Sequence, residues 1–178
     1  MSQICTGVLV LCLCVSVYGA VASFIGARRG PRRVLRSGTN ALSVMAVLVS
    51  LAVAILLYLL LTRDFEVAYV YRYTSTHLPF IYTVSAFWAG EAGSWLLWLW
   101  FLTILAAIAV RQSERLGKIG PYILATLAAN EAFFTLVLIL TANPFETMPS
   151  RPMEGVGMLP LLENPGMVIH PPILFLGY

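Results

Sequence analysis

Long apolar runs alternate with short polar segments along the whole chain. A helix needs about 20 predominantly apolar residues to cross the hydrocarbon core of a bilayer. Four complete spans are predicted at about 4–25, 40–61, 84–110 and 120–142, and a fifth begins near residue 168. The pattern therefore predicts an all-α fold, a polytopic transmembrane helical bundle with outer loops at 62–80 and 143–170.

The composition excludes an ordinary soluble domain. Hydrophobic residues make up 60% of the chain and charged residues only 11%, and the mean hydropathy is +0.86. Soluble domains carry about 25% charged residues. The chain is therefore predicted to lie largely within a membrane.

The two ends of the chain allow further interpretation. A cleaved signal peptide is the alternative for the first run, but it needs a positive segment ahead of a shorter apolar core. Here no Lys or Arg precedes the run, and the arginines follow it.

The fifth run stops after about ten residues, half of what a span needs. The chain is therefore expected to be incomplete or one piece of a split protein.

Eight of the eleven basic residues form two clusters, five in the segment 27–39 and three in 111–118. Pro31 and Gly38 predict a loop in the first cluster. A basic patch can bind nucleic acid, but beside a span it is more typical of the cytoplasmic side. The N-terminus, both outer loops and His170 are then outside, on the periplasmic side in a bacterial source. The clusters contain Arg28, Arg29, Arg32, Arg33, Arg36, Arg111, Arg115 and Lys118.

All four tryptophans fall in the third predicted span. They are Trp88, Trp95, Trp98 and Trp100. At about 100° per residue, Trp88 and Trp95 share one face and Trp98 lies about 60° away. Gly90 and Gly93 lie on the opposite side, where a neighbouring helix can approach closely. An interfacial aromatic belt is the alternative explanation for these tryptophans.

Two acidic residues lie within predicted spans. Glu91 falls on the tryptophan side of the third span, where it either serves a function or stabilises a helix start. Glu131 follows Asn130 near the middle of the fourth span. A carboxylate at that depth is a functional-site candidate, although a structural hydrogen bond is the alternative.

The polar segment 62–80 contains aromatic or branched residues at alternate positions, which indicates an extended piece. These residues are Phe65, Val67, Tyr69, Tyr71 and Tyr73. His77 lies in the same segment among Ser and Thr residues, and we interpret it as a solvated loop histidine.

The three cysteines, Cys5, Cys12 and Cys14, all fall in the first run. We interpret them as small apolar side chains without a thiol–disulfide role. The chain contains none of the Cys/His spacings typical of metal sites and no common nucleotide-binding or hydrolase motif.

His170 is one of two histidines and precedes Pro171 and Pro172. Proline lacks a backbone N–H and suits the first turn of a helix, where such groups are unpaired anyway. The pattern therefore predicts that His170 lies at or just before a helix start, with a nearly fixed backbone at the edge of the membrane.

These segments resemble the amino-terminal part of the CcmF/NrfE family of cytochrome c-type biogenesis proteins, and the resemblance covers essentially the whole chain. The segments that carry it are DFEVAYV at 64–70, LP at 78–79, SAFWAGEAGSWLLW at 85–98, NPF at 143–145, GVG at 155–157, PLL at 160–162, NPGMVIHPP at 164–172 and LGY at 176–178. The segment NPGMVIHPP, which contains His170, is the most specific of them.

The resemblance implies a haem lyase that accepts haem from the chaperone CcmE. The haem is joined outside the membrane to the CXXCH thiols of apocytochrome c, which CcmH presents. By its motif, His170 would be an axial ligand of the iron of a transiently held b-type haem, and Trp88, Trp95 and Trp98 would pack at the haem site. The second ligand would lie beyond Tyr178, so the chain alone is expected to be inactive.

Two rival hypotheses come from other classes of protein. A transporter or channel subunit would use Glu91 and Glu131 to line a polar path, and a structural assembly subunit would hold no cofactor. The family usually reads Gly-Gln-Glu-Gly-Ser where this chain has GEAGS at 90–94. The carboxylate is therefore shifted by one position, and Glu131 matches no family motif.

Overall fold

In the computed structural model, residues 2–29, 32–112 and 117–177 are described. Four helices in these ranges are long and apolar enough to cross a membrane. They are α1 (Ser2–Arg29), α2 (Arg32–Thr62), α5 (Glu91–Gln112) and α6 (Gly120–Leu140). The predicted all-α, polytopic fold is thereby confirmed.

Three shorter helices and two 3₁₀ turns connect and extend the long helices. The helices are α3 (Ala68–Tyr73), α4 (Phe80–Ser85) and α7 (Pro165–Gly177), and the 3₁₀ turns lie at Ala86–Trp88 and Gly117–Ile119. Helix α1 packs against α2 and α6, and α5 packs between α2 and α6. Of the residues named in the predictions above, Pro31, Arg115 and Tyr178 lie outside the described ranges.

The predicted loop at 27–39 is wrong, because helix α1 continues to Arg29 and α2 begins at Arg32 rather than near residue 40. Arginine is a good helix former, so a basic segment need not interrupt a helix. Gly38 serves close packing here: a Cβ at this position would lie 2.5 Å from Oγ of Ser23. The glycine therefore lets α2 approach α1 closely.

The extended piece predicted between residues 65 and 73 is also wrong, because α3 occupies most of it. An isolated antiparallel bridge between Val67 and Thr147 is the strand-like pairing found there. Tyr69 and Val70 are both buried. Successive residues of a strand point to opposite faces, whereas a helical turn can bury both against the same neighbours.

The third predicted span, 84–110, is interrupted near its start. Residues 80–88 form α4 and a 3₁₀ turn, and the long helix begins only at Glu91. The helical-wheel relation expected between Trp88 and Trp95 therefore does not hold. A Cβ on Gly90 would overlap the ring of Tyr73, so this glycine marks a close approach between the outer segment and the start of α5.

The two predicted outer segments and the start of α1 meet at one end of the bundle. The Val67–Thr147 bridge joins the two loops, and Nδ2 of Asn143 donates to Oγ1 of Thr6 at 3.2 Å. At the opposite end, Phe24 of α1 contacts Tyr122 of α6, with ring centroids 6.4 Å apart. The segments predicted to lie outside thus share one end of the bundle.

Candidate functional site

His170 lies within α7, not at its start as predicted. Helix α7 begins at Pro165, and the Asn164 side chain accepts a hydrogen bond from the Gly166 amide at 2.9 Å. Asn164 therefore caps the helix, and Pro165 takes the first position, where proline is best tolerated. Pro171 and Pro172 consequently fall in the helix interior. The His170 side chain is exposed.

Helix α7 lies against α4 and α5, although none of its described residues is buried. Nε1 of Trp88 donates a hydrogen bond to the carbonyl oxygen of Met167 at 3.3 Å. Farther along the helix, Phe175 contacts Trp98 edge to face, with ring centroids 5.5 Å apart. Two of the predicted site tryptophans therefore contact the helix that carries His170.

Trp95 and Trp98 belong to an aromatic cluster with Phe134 of α6. The Trp95–Trp98, Trp95–Phe134 and Trp98–Phe134 centroids lie 5.9, 5.4 and 5.7 Å apart. Edge-to-face and tilted contacts at these distances stabilise aromatic clusters. Contacts between aromatic rings thus connect α5 with α6 and, through Phe175, with α7. Trp88 stands apart, because it precedes α5.

Two small clefts border this cluster, and they indicate how much of a ligand site the described residues can form. One has a volume of about 120 Å³ and is lined by Ser94, Trp95, Trp98 and Phe175. The other, of about 210 Å³, extends along Phe101 and Phe134. Enclosing pockets for small molecules begin at roughly 300 Å³. Neither cleft reaches that size, so together they form at most an apolar surface beside a planar ligand, and His170 is not among the residues that line them.

Glu91 is in the first turn of α5, which agrees with the interpretation that it stabilises a helix start. A negative charge is favourable there because the amide groups of the first turn point toward it. Its Oε1 also accepts from Nε1 of Trp95 at 3.4 Å. The carboxylate thus stabilises the helix start and the orientation of one tryptophan.

Glu131 is fully buried in α6, and both carboxylate oxygens lack a hydrogen-bond partner among the described residues. Two polar residues near it on the same helix, Asn130 and Thr135, form their hydrogen bonds with backbone carbonyls instead. Asn130 donates to the Thr126 carbonyl at 2.9 Å, and the Thr135 hydroxyl donates to the backbone carbonyl of Glu131 at 2.7 Å. An unpaired polar group in the interior is costly, so this residue stays a functional candidate.

Tyr69 is a site residue that the sequence did not single out. Its hydroxyl donates toward the carbonyls of Ala86 and Phe87, both at 3.0 Å, and accepts from the Gly90 amide at 3.1 Å. Burial raises the pKa of the Tyr69 phenol above its ordinary value, so it stays neutral and can donate. Because these partners flank Trp88 on both sides, Tyr69 fixes the backbone that positions that tryptophan.

The outer loops are fastened to each other at a second place. The Glu154 carboxylate accepts from the side chain and the amide of Thr76. These bonds hold the pKa of the Glu154 carboxyl below its usual range, so the tie is ionised at neutral pH. His77 is exposed beside this carboxylate, as expected for a solvated loop histidine. Arg151 adds contacts of 3.3 Å to Glu66 and 3.9 Å to Asp64.

Other kinds of site find no support in the described ranges. Cys5 and Cys12 are buried in α1 and Cys14 is exposed on it, and all three are free thiols. In the part of the chain that the structure describes, no group of three or more His, Cys, Asp or Glu side chains could hold a metal ion. Any metal at His170 would need further ligands from elsewhere, as an axial position on haem does.

Comparisons with known proteins agree on one family. The model of the family described as "Cytochrome C assembly protein" matches residues 88–178. The chain is 34% identical over 171 residues to cytochrome c-type biogenesis protein ccl1 of Rhodobacter capsulatus, covering 96% of this chain and 26% of that protein. It is 33% identical over 180 residues to CcmF of Escherichia coli, covering 100% of this chain and 28% of that protein.

A solved structure gives the same result in three dimensions. The structure of "Cytochrome c Heme Lyase CcmF" aligns with a TM-score of 0.83 at 27% identity and covers 99% of this chain and 28% of that one. The chain therefore spans about a quarter of the length of the proteins it matches.

Proposed function

This chain belongs to the cytochrome c assembly protein family, and from that premise we propose that it holds haem for attachment to apocytochrome c. The observation that carries the proposal is the placement of His170 on α7, whose neighbouring residues contact Trp88 and Trp98. The family model spans all of these residues. A multi-pass membrane protein of the cytochrome c biogenesis family thus carries an exposed imidazole on a helix that contacts two tryptophans through another of its faces.

His170 would supply one axial ligand to the iron, because a neutral imidazole is a common haem ligand. Haem, when bound, supplies the vinyl carbons to which cysteine thiols add. The chain's own residues then have three tasks: His170 binds, the tryptophans and Phe134 offer an apolar wall, and the outer loops support this end of the bundle. No general base is required from these residues. The haem is proposed to be b-type and only transiently held.

The partners proposed for the site follow from the family resemblance. CcmE would deliver haem, and CcmH would present the CXXCH thiols of apocytochrome c. Both exchanges need an accessible ligand, and the His170 side chain is exposed. The location proposed is the bacterial inner membrane, with the N-terminus and His170 on the periplasmic side. The sequence supports this orientation, because eight of the eleven basic residues fall in the two segments predicted to be cytoplasmic and three fall in the loops predicted to be outside.

The orientation predicts opposite labelling at the two ends. Ser150 and Arg32 are both exposed. In a variant whose exposed Cys14 is replaced by Ser, we expect Ser150→Cys to react with a membrane-impermeant maleimide in intact cells. Arg32→Cys should react only after permeabilisation, because its end carries the positive charges that are retained in the cytoplasm. Labelling at position 32 in intact cells would reverse the orientation and remove the periplasmic haem site.

The transporter hypothesis is favoured by one observation, the unpaired buried carboxyl of Glu131. If that residue is only structural, Glu131→Gln keeps its size and should leave cytochrome c output within about twofold of normal, because a neutral amide avoids the cost of burying a charge. The purified variant should also retain haem absorbance. Glu91→Gln, at the exposed helix start, is the matched control.

The rival function predicts a different pair of results. Purified wild-type protein would show no haem absorbance, and Glu131→Gln would abolish ion flux in liposomes at normal protein levels. A large loss of function in Glu131→Gln with haem still bound would give the carboxyl a proton- or ion-handling role within the maturation protein.

A further inference from the structure

Helix α7 contains a local defect next to its histidine. In an α-helix each backbone N–H donates to the carbonyl four residues earlier. Pro171 has no N–H, so the carbonyl of Met167 loses its helical donor. A proline in a helix interior is tolerated where another group satisfies the freed carbonyl. The defect thus creates a demand for a donor from outside the helix, one turn from His170.

Trp88 meets that demand. Its indole Nε1 donates to the freed Met167 carbonyl at 3.3 Å. The ring is half-buried and lines one cleft of about 60 Å³ together with Met167 and Pro171, and Met158 and Leu162 line the same cleft. The donor and the proline therefore belong to one local arrangement, in which the indole replaces the missing backbone N–H.

The backbone on both sides of Trp88 is held in place by Tyr69. The buried Tyr69 hydroxyl bonds to the carbonyls of Ala86 and Phe87 and to the amide of Gly90. These bonds hold the backbone immediately before and after Trp88. The hydrogen bond to α7 thus starts from a well-supported residue and not from a mobile loop side chain.

The same face of α7 makes a second contact two turns away. Met167, Pro171 and Phe175 recur every four residues and so share one face, and Phe175 packs edge to face on Trp98. His170 lies about 100° around the helix from the middle of that face, consistent with its exposure. Two tryptophans therefore fix both the position and the rotation of α7, and with them the direction of the His170 side chain.

We propose that Trp88 is a positioning residue for His170, acting by donating its indole N–H to the carbonyl that Pro171 leaves unpaired. The inference rests on the proposed function of His170 but can be tested separately from it. It gives Trp88 a task different from ring packing against haem. It also gives a reason for the proline directly after the histidine: without a backbone N–H at Pro171, the Met167 carbonyl is free to accept from Trp88, and this bond then positions the helix.

The test is a pair of double substitutions in the intact membrane protein. Trp88→Phe keeps an aromatic ring and removes the donor. We expect hydrogen exchange of the α7 amides to rise roughly two- to tenfold, the factor that one hydrogen bond contributes to a local opening equilibrium. In haem-loaded protein, the ferric spectrum should shift toward weaker axial ligation. Adding Pro171→Ala returns an N–H to the Met167 carbonyl and should reverse both effects.

Pro172→Ala is the matched control. It restores an N–H to the carbonyl of Val168, whereas the Trp88 indole donates to that of Met167, so it should not rescue Trp88→Phe. Unchanged α7 exchange in Trp88→Phe, or equal rescue by Pro172→Ala, would overturn the inference. If exchange rises and Pro171→Ala rescues it while the haem spectrum stays normal throughout, the positioning contact stands and the haem role of His170 fails.

A single variant covers the case in which Trp88→Phe does not accumulate. In Pro171→Ala with Trp88 intact, the Met167 carbonyl has its helical donor again, so α7 exchange should be as slow as in the unaltered protein or slower. Faster exchange there would show that the proline, and not the indole bond, orders the helix, and it would contradict the proposal.

Discussion

Replacing His170 with Ala is expected to abolish covalent attachment of haem to cytochrome c, in cells that depend on this protein, while membrane insertion stays intact. The side chain is exposed and none of the described residues of α7 is buried, so its loss removes little packing. An axial ligand contacts the iron directly. Its loss should cost more than the roughly 10- to 100-fold that follows from losing an outer-shell partner of a metal ligand. Haem-stained cytochrome c and the level of the membrane protein are the measurements.

A diffusible ligand provides the rescue experiment for the same variant. Imidazole in the medium should restore part of the activity, because an axial ligand need not be tethered to the chain. His77→Ala is the control, since it removes the other histidine from an exposed loop. If purified His170→Ala keeps unchanged axial ligation and joins haem to cytochrome normally, His170 is a structural residue of α7.

Gly93→Ala is expected to remove most of the folded protein from the membrane. A Cβ at this position would overlap the carbonyl oxygen of Phe87 and the hydroxyl of Tyr69. Neither neighbour can move freely, because the two are bonded to each other in the interior. Overpacking typically costs about 1–3 kcal/mol and occasionally more, and displacing Tyr69 adds unpaired carbonyls. Protein level and melting temperature in detergent measure the effect.

Gly7→Ala is the matched control for this substitution. Both glycines lie in long helices, but nothing lies within 4 Å of a Cβ added at position 7. Alanine is favoured over glycine in a helix interior by about 1 kcal/mol, so Gly7→Ala should be neutral or mildly stabilising. Equal melting temperatures for the two variants would contradict the close approach of α5 to Tyr69 and Phe87.

The membrane architecture could be predicted because an apolar run of sufficient length has few alternatives. The four long helices and the family resemblance of the sequence are both confirmed. Helix ends were less predictable where the usual signals conflict. The arginines near residue 32 are helical, and Gly38 allows close contact with Ser23 where a loop was predicted. Local signals alone do not distinguish a glycine that packs from one that ends a helix.

The sequence named candidate site residues, but it did not predict how they are arranged. His170 and the tryptophans could be named from motifs, whereas the relation between Pro171 and Trp88 depends on two segments nearly eighty positions apart. A proline pair predicts a helix start unless a distant donor satisfies the freed carbonyl. Tyr69 was hidden for a similar reason: its three hydrogen bonds all go to backbone groups of a later segment, and these leave no local pattern.

The packing of α1 against both α2 and α6 has a consequence for the order of assembly during synthesis. Contacts between α1 and α2 are close in sequence, so they close a small loop at little entropic cost and can form as soon as Thr62 has been made. Helix α6 is complete only after some eighty further residues, about 4–16 s later at ordinary translation rates of about 5–20 residues per second. Until then α1 presents an open face to the bilayer. The carboxyl of Glu131 is therefore buried late, when α6 packs against the α1–α2 hairpin that has already formed.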